Sequence, residues 1–133
     1  MFQLKHFETN SMTQKSVLGK KGEDFAADYL KKQCYKIIER NYRKPWGELD
    51  IVAVASDKTL VFVEVKTMSN FDPGGLQPED QMSRAKMGKF KKIAESYANH
   101  NSKLVNSEKG WRLDLIALTK IGNDFLIRHY ENV

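Results

Sequence analysis

The sequence holds one cysteine and three prolines in 133 residues, and no apolar run approaches the ~20 residues that a membrane-crossing helix needs. A lone Cys34 excludes an intramolecular disulfide and a cysteine-based zinc centre, and reads as a core or boundary thiol. Few prolines, with 41% apolar and 29% charged residues, exclude collagen-like and disordered architectures. His6, His100 and His129 are too scattered for a histidine metal centre, and no Ser/His/Asp arrangement is evident. Gly74-Gly75 lacks the lysine and the strand-to-helix context of a phosphate-cradling loop. The opening MFQLKHFETNSMTQKS has the composition of neither a secretory leader nor a transit peptide, which predicts a cytoplasmic protein with no membrane partner.

What is present is material for one compact domain. Residues 1–16 read as a flexible polar arm and 17–133 as the domain. VLGKKGEDFAADYLKKQ predicts an amphipathic helix through Leu18, Phe25, Ala26, Tyr29 and Leu30, with Lys31 and Lys32 opposing the dipole at its end. YKIIERNY reads as a strand, closed by a turn at Lys44-Pro45-Trp46-Gly47. GELDIVAVA and TLVFVEVKT are rich in β-branched residues and flank Ser56-Asp57-Lys58, which predicts an antiparallel hairpin. MSNFDPGGLQPED reads as a loop whose stretch from Ser69 to Glu79 is able to clamp a strand or to carry a homodimer contact. A second helix is expected from Pro78-Glu79-Asp80 through Met82, Lys86, Phe90, Ile93, Ala94 and Tyr97 to Asn99. WRLDLIAL and FLIRHY supply two last strands. The expected fold is α/β, a mixed five-stranded sheet flanked by helices in the order α-β-β-β-α-β-β.

Candidate chemistry lies on the central hairpin. Strand alternation puts Leu60, Phe62, Glu64 and Lys66 on one face of TLVFVEVKT, and Glu48, Asp50, Val52 and Val54 on one face of GELDIVAV. Charges among large apolar neighbours are costly unless the strand end opens into a cleft or the charges bind something. Asp50 and Glu64 are equidistant from Asp57 along the chain, so the hairpin brings them together. Two carboxylates ~4 Å apart repel by several kcal/mol at an effective dielectric of about 20, which calls for a cation between them, and a hard ion such as Mg2+ (or Mn2+) fits. Lys66 stands where it can orient an attacking water or steady charge on a phosphate.

An Asp, a gap of thirteen residues and then Glu-x-Lys on a strand, with an acidic residue on a preceding helix, resembles the PD-(D/E)xK nuclease superfamily. GEDFAADYL, RNYRKPWGELDIVA, VFVEVKT and RLDLIAL resemble, in order and spacing, the YraN family of small bacterial proteins from about Gly19 to the C-terminus. The resemblance implies a restriction-endonuclease-like core similar to that of archaeal Holliday-junction resolvases. Its implied active set is Glu23, Asp50, Glu64 and Lys66, the three acids binding metal, in a nuclease acting on DNA, branched or structured DNA included. One departure is Leu49, where the name-giving motif has proline.

Each candidate also has a structural reading. Glu64 and Lys66 alone are compatible with a surface ion pair, Glu23 with a carboxylate favoured by a helix N-terminus, and Glu48 with a strand-edge residue as well as a rival ligand. Asp114 and Arg112 read as a structural salt bridge. Lys86 either snorkels at the edge of its stripe or reaches into the active cleft to touch a phosphate. The 22 Lys and Arg against 17 Asp and Glu, net +5, favour a polyanionic partner. Arg40, Tyr42, Arg43, Lys44 and Trp46 interleave cations with aromatics as a nucleic-acid surface does, and Lys89, Lys91 and Lys92 are placed to extend it. The rival function is a nuclease-like fold that only binds nucleic acid or protein.

Overall fold

The computed structural model describes residues 14–69 and 82–133, so the expected arm up to residue 13 and most of the 69–79 loop lie outside the described residues. The elements are α1 (Gln14–Lys32), β1 (Lys36–Lys44), β2 (Gly47–Val54), β3 (Leu60–Met68), α2 (Arg84–His100), a single 3-10 turn (Ser102–Leu104), β4 (Trp111–Ile121) and β5 (Asp124–Tyr130). The order α-β-β-β-α-β-β is the expected one.

α1 begins at Gln14, so residues 14–16 are helical. It closes where the Tyr35 N–H reaches the Leu30 carbonyl at 2.9 Å and the Cys34 N–H reaches that of Lys31 at 3.0 Å. Cys34 takes the left-handed conformation this ending requires, φ 68°. It is exposed at the helix boundary and is no part of the core. α2 starts later than expected. Met82 and Ser83 precede the helix, and the Ser83 side chain accepts the Lys86 N–H at 3.2 Å as the cap of a first turn at Arg84. Pro78-Glu79-Asp80 lies outside the described residues.

The strands form one sheet in the order β1-β2-β3-β4-β5. β3 and β4 run parallel, and the other neighbours run antiparallel. A parallel pair needs a crossover, which here carries α2 over one face while α1 covers the other. Two apolar cores result. Leu49, Val52, Leu60, Phe62 and Leu113 pack with Phe90, Ile93 and Tyr97 on the α2 side; Ile51, Val61, Val63, Ile116 and Leu118 pack with Ala26 and Leu30 on the α1 side. Each fully buried Leu, Ile or Phe contributes roughly 1.5–3 kcal/mol. The central strands therefore provide a rigid frame for polar groups at one end of the sheet. No helix among the described residues is long and apolar enough to cross a membrane.

Candidate active site

The site begins where alternation fails. Val52 packs on the α2 side and Ile51 on the α1 side, as alternation demands, yet Leu49 is again on the α2 side. The expected shared face of Glu48, Asp50, Val52 and Val54 therefore does not hold through Asp50. On the neighbouring strand Arg40 pairs with Ile51 and Tyr42 with Leu49 in one continuous register, the register shift lying further along between Ile37 and Glu39, but Asn41, between the two pairs, has φ 55°. The backbone is thus irregular on the strand beside Asp50. The β2–β3 register runs from Val54–Leu60 to Ile51–Val63. One step further Asp50 bonds to the next strand through its side chain, Oδ2 accepting the Val65 N–H at 2.8 Å. Asp50 is 8% exposed.

Glu64 lies across from it, and the two carboxyl groups share a hydrogen bond. Burial first, then the charge of Asp50, pushes the Glu64 carboxyl up to about 8, against the pull of Lys66. Burial also raises Asp50, opposed by the hydrogen bonds from Val65 and Glu64. Near neutral pH the pair thus retains a proton between two acids too crowded to ionise together. Lys66 Nζ stands 3.9 Å from Glu64 Oε1. Glu64 and Lys66 open into a cleft of about 230 Å³ on the α2 side, walled by Gly47, Glu48, Met82, Lys86, Lys89 and Phe90. Lys86 is exposed and faces this cleft.

Glu23 is placed differently. It lies well inside α1 and not in a first turn, so the helix-terminus reading does not apply. It lines a second cleft, about 540 Å³, on the α1 side with Lys20, Asp24, Arg40, Asn41 and Arg43. Burial raises its carboxyl, and the charge of Asp50 raises it further, while Arg40 opposes. Asp50 is thus felt from both faces: Glu64 meets it on the α2 side, and Glu23 senses it from the α1 side. α1 can lie this close because position 22 is glycine; a Cβ there would run into the Thr67 side chain on β3.

The basic candidates differ in how firmly they are held. Arg40 bonds Asp24 at 2.8 Å, tying β1 to α1, and its Nε is buried with no hydrogen-bond partner among the described residues. Arg43 makes a long, exposed pair with Glu48 at 3.8 Å, and Lys44 lies over the Tyr42 ring at 5.5 Å. Trp46 is 48% exposed at the β1–β2 turn.

Two features were not anticipated. Lys20 enters the α1-side cleft; its signal was the helical spacing that stacks positions 20, 23 and 24 on one face. The other is a buried polar cluster away from the carboxylate pair. Asp114, fully buried, meets Arg112 Nε at 2.9 Å as expected, but also His129 Nε2 at 2.8 Å and the Asn132 N–H at 3.0 Å. His129 Nδ1 lies 3.0 Å from the Tyr29 hydroxyl, and Arg112 donates to the Tyr35 hydroxyl at 2.9 Å. Three elements, α1, β4 and β5, are pinned here together with the α1–β1 connection and the segment after β5.

A hard divalent cation suits the Asp50–Glu64 pair, which offers only oxygen donors and holds a proton that such an ion could displace. Among the described residues no group of three or more His, Cys, Asp or Glu side chains forms a ready cage. Two protein carboxylates with the remaining positions left to water and phosphate is how magnesium is often held.

The mixed sheet and the element order are consistent with a nuclease-like core. The chain belongs to the uncharacterised protein family UPF0102, which matches residues 22–118 and is the YraN family of the sequence resemblance. A UPF0102 protein of Flavobacterium johnsoniae is 39% identical over 118 residues, 89% of this chain and 94% of the relative. One from Carboxydothermus hydrogenoformans is 37% identical over 116 residues, 87% and 93% of the two chains, and one from Dictyoglomus thermophilum is 49% identical over 80 residues, 60% and 65%.

Proposed function

We propose that the protein is a metal-dependent phosphodiester hydrolase acting on DNA. The observation that carries this reading is the meeting of Asp50, Glu64 and Lys66 at the point where the β2–β3 register ends, beside a cleft whose other charged residues include Lys86 and Lys89. Asp50 and Glu64 would hold Mg2+ or Mn2+, which supplies Lewis-acid polarisation of a phosphate oxygen and a more acidic water. Lys66 steadies the charge that develops on the phosphate as the bond to the leaving oxygen breaks. Lys86 and Lys89 hold neighbouring phosphates, and the apolar wall of Met82 and Phe90 limits water. Glu23, whose own carboxyl is raised by burial and then by the charge of Asp50, adds negative potential beside that group.

The test is cleavage of labelled duplex, single-stranded and junction DNA with magnesium or manganese. Cleavage that disappears in Asp50→Asn and Lys66→Ala supports the reading; no metal-dependent product on any substrate overturns it. The opening of Glu23 into a separate cleft favours a second reading, a nuclease-like fold that binds nucleic acid or a protein without cutting. Calorimetry separates the two. A binding module gives no heat with either ion, and its DNA affinity is indifferent to Asp50→Asn.

A further inference from the structure

We infer that the end of the β1–β2 hairpin holds an unpaired stretch of DNA, one base stacked on Trp46 and the flanking phosphates carried by cations of the two clefts. The inference rests on reading the α2-side cleft as a phosphodiester site, and it names the substrate class of that site.

The two tryptophans have opposite surroundings. Trp111 packs edge-on against Phe62, with ring centroids 5.6 Å apart, on the α2-side core. Trp46 is 48% exposed at the turn between Lys44 and Gly47. Its base is firm: a Cβ on the adjoining Gly47 would meet Ile93 Cδ1 of α2 at 3.2 Å, so the turn lies directly against that helix. An indole held on a rigid turn is a stacking platform, and sequence-tolerant stacking of this kind needs a base whose face is not already covered by its neighbours in a duplex.

Charge supplies the path. Gly47 and Glu48 wall the α2-side cleft with Lys66, Lys86 and Lys89; Arg43, from the other arm of the same hairpin, walls the α1-side cleft with Lys20 and Asn41. Trp46 therefore stands between two clefts that both carry cations, and Lys44 sits beside it over Tyr42. The α1-side volume of about 540 Å³ lies within the ~300–1,000 Å³ of sites that enclose small ligands, the scale of nucleotide units and not of a duplex. Of its acids, Asp24 is paired with Arg40 at 2.8 Å. A strand leaving the α2-side cleft can cross the turn, stack a base on Trp46 and lay its next phosphate near Arg43 and Lys20.

The experiment is fluorescence titration of the full chain, without divalent metal, using oligothymidylate of about 12 nucleotides, within the ~4–16 that single-strand sites span, and a duplex of equal length. We expect the single strand to quench tryptophan emission at concentrations where the duplex does not. Trp46→Phe should abolish the quenching, leaving Trp111 as an unresponsive reference, and keep part of the affinity; Trp46→Ala should weaken binding roughly 5- to 150-fold, the range of one base–aromatic stack. Lys20→Glu should weaken it further. Equal binding of duplex, or quenching unchanged in Trp46→Phe, or no binding of the single strand, overturns the proposal. So does tighter binding of oligouridylate, which would make RNA the ligand. Because no metal is added, the result is independent of hydrolysis: single-strand binding with no cleavage leaves this inference standing and the hydrolase fallen, and cleavage of duplex without Trp46 stacking does the reverse.

Discussion

The Asp50 carboxylate stands in for a strand: its Oδ2 takes the Val65 N–H at 2.8 Å just past the last β2–β3 backbone pairing, while the same group shares a hydrogen bond with Glu64. One side chain thereby serves structure and charge at once, and the two roles come apart by substitution. Asp50→Asn keeps an oxygen acceptor for Val65 and should fold near wild-type stability. Asp50→Ala leaves the amide unsatisfied and should cost about 1–3 kcal/mol. Both should lose divalent-ion binding. Urea melts with isothermal calorimetry check this; a stable Asp50→Ala chain would mean the Val65 bond is dispensable.

Glu64 should make the fold less stable as pH rises. Its carboxyl is pushed up to about 8 by burial and then by Asp50, whereas in the unfolded chain it returns to the ordinary range. Between those two values the folded state binds more protons, so stability falls from about pH 4.5 to about pH 8 and then levels, a loss on the order of 1–4 kcal/mol. Glu64→Gln should flatten that slope and melt higher than wild type at alkaline pH. Magnesium should stabilise wild type most at the alkaline end, because there it replaces the proton. A variant with the wild-type slope in thermal melts would place the titration elsewhere.

Much of this was readable from sequence because the controlling signals are local. β-branched runs define β2 and β3, and a short Ser56-Asp57-Lys58 connection leaves little choice but to set Asp50 near Glu64. The described part of α2 begins at Arg84 and not at Met82, because the Ser83 side chain reaches the Lys86 N–H and caps the first turn there, a contact that the spacing of apolar residues does not announce. The break at Asp50 was invisible because alternation assumes a regular ladder; nothing local in LDIV announces that Leu49 and Val52 share a side. Tyr29 and His129, one hundred positions apart, meet only through the sheet.

Gly22 should prove essential to the seating of α1. In an open helix Gly→Ala gains up to about 1 kcal/mol, but here the new Cβ enters the Thr67 side chain, and overpacking of this sort costs ~1–3 kcal/mol. Gly22→Ala should therefore destabilise. In a Thr67→Ala background the same change should turn neutral or stabilising, since the obstructing hydroxyl is gone. A double-mutant cycle by chemical denaturation gives the coupling; additive effects would mean that α1 does not rest on Thr67.

Asp114 should matter more for stability than any other acid. Burial works to raise its carboxyl, yet the bonds from His129, Arg112 and the Asn132 N–H outweigh burial and hold it below the ordinary carboxylate range. Its contribution is therefore complete above that range and lost as pH falls through the depressed value. Asp114→Asn leaves the guanidinium of Arg112, only 18% exposed, facing an amide, with the exposed Glu131 at 3.4 Å as a remaining partner, so the cost falls at or below the low end of the ~3–5 kcal/mol for breaking a buried pair from one side. The loss should appear in urea melts at neutral pH and shrink toward strong acid, where wild type forfeits the same charge. Since Asp114 Oδ2 meets His129, whose ring contacts Tyr29, and its Oδ1 holds Asn132, the variant should also expose the amides of the last residues to hydrogen exchange, leaving Val61 and Val63 protected. A cost below about 1 kcal/mol would assign the cluster no structural weight.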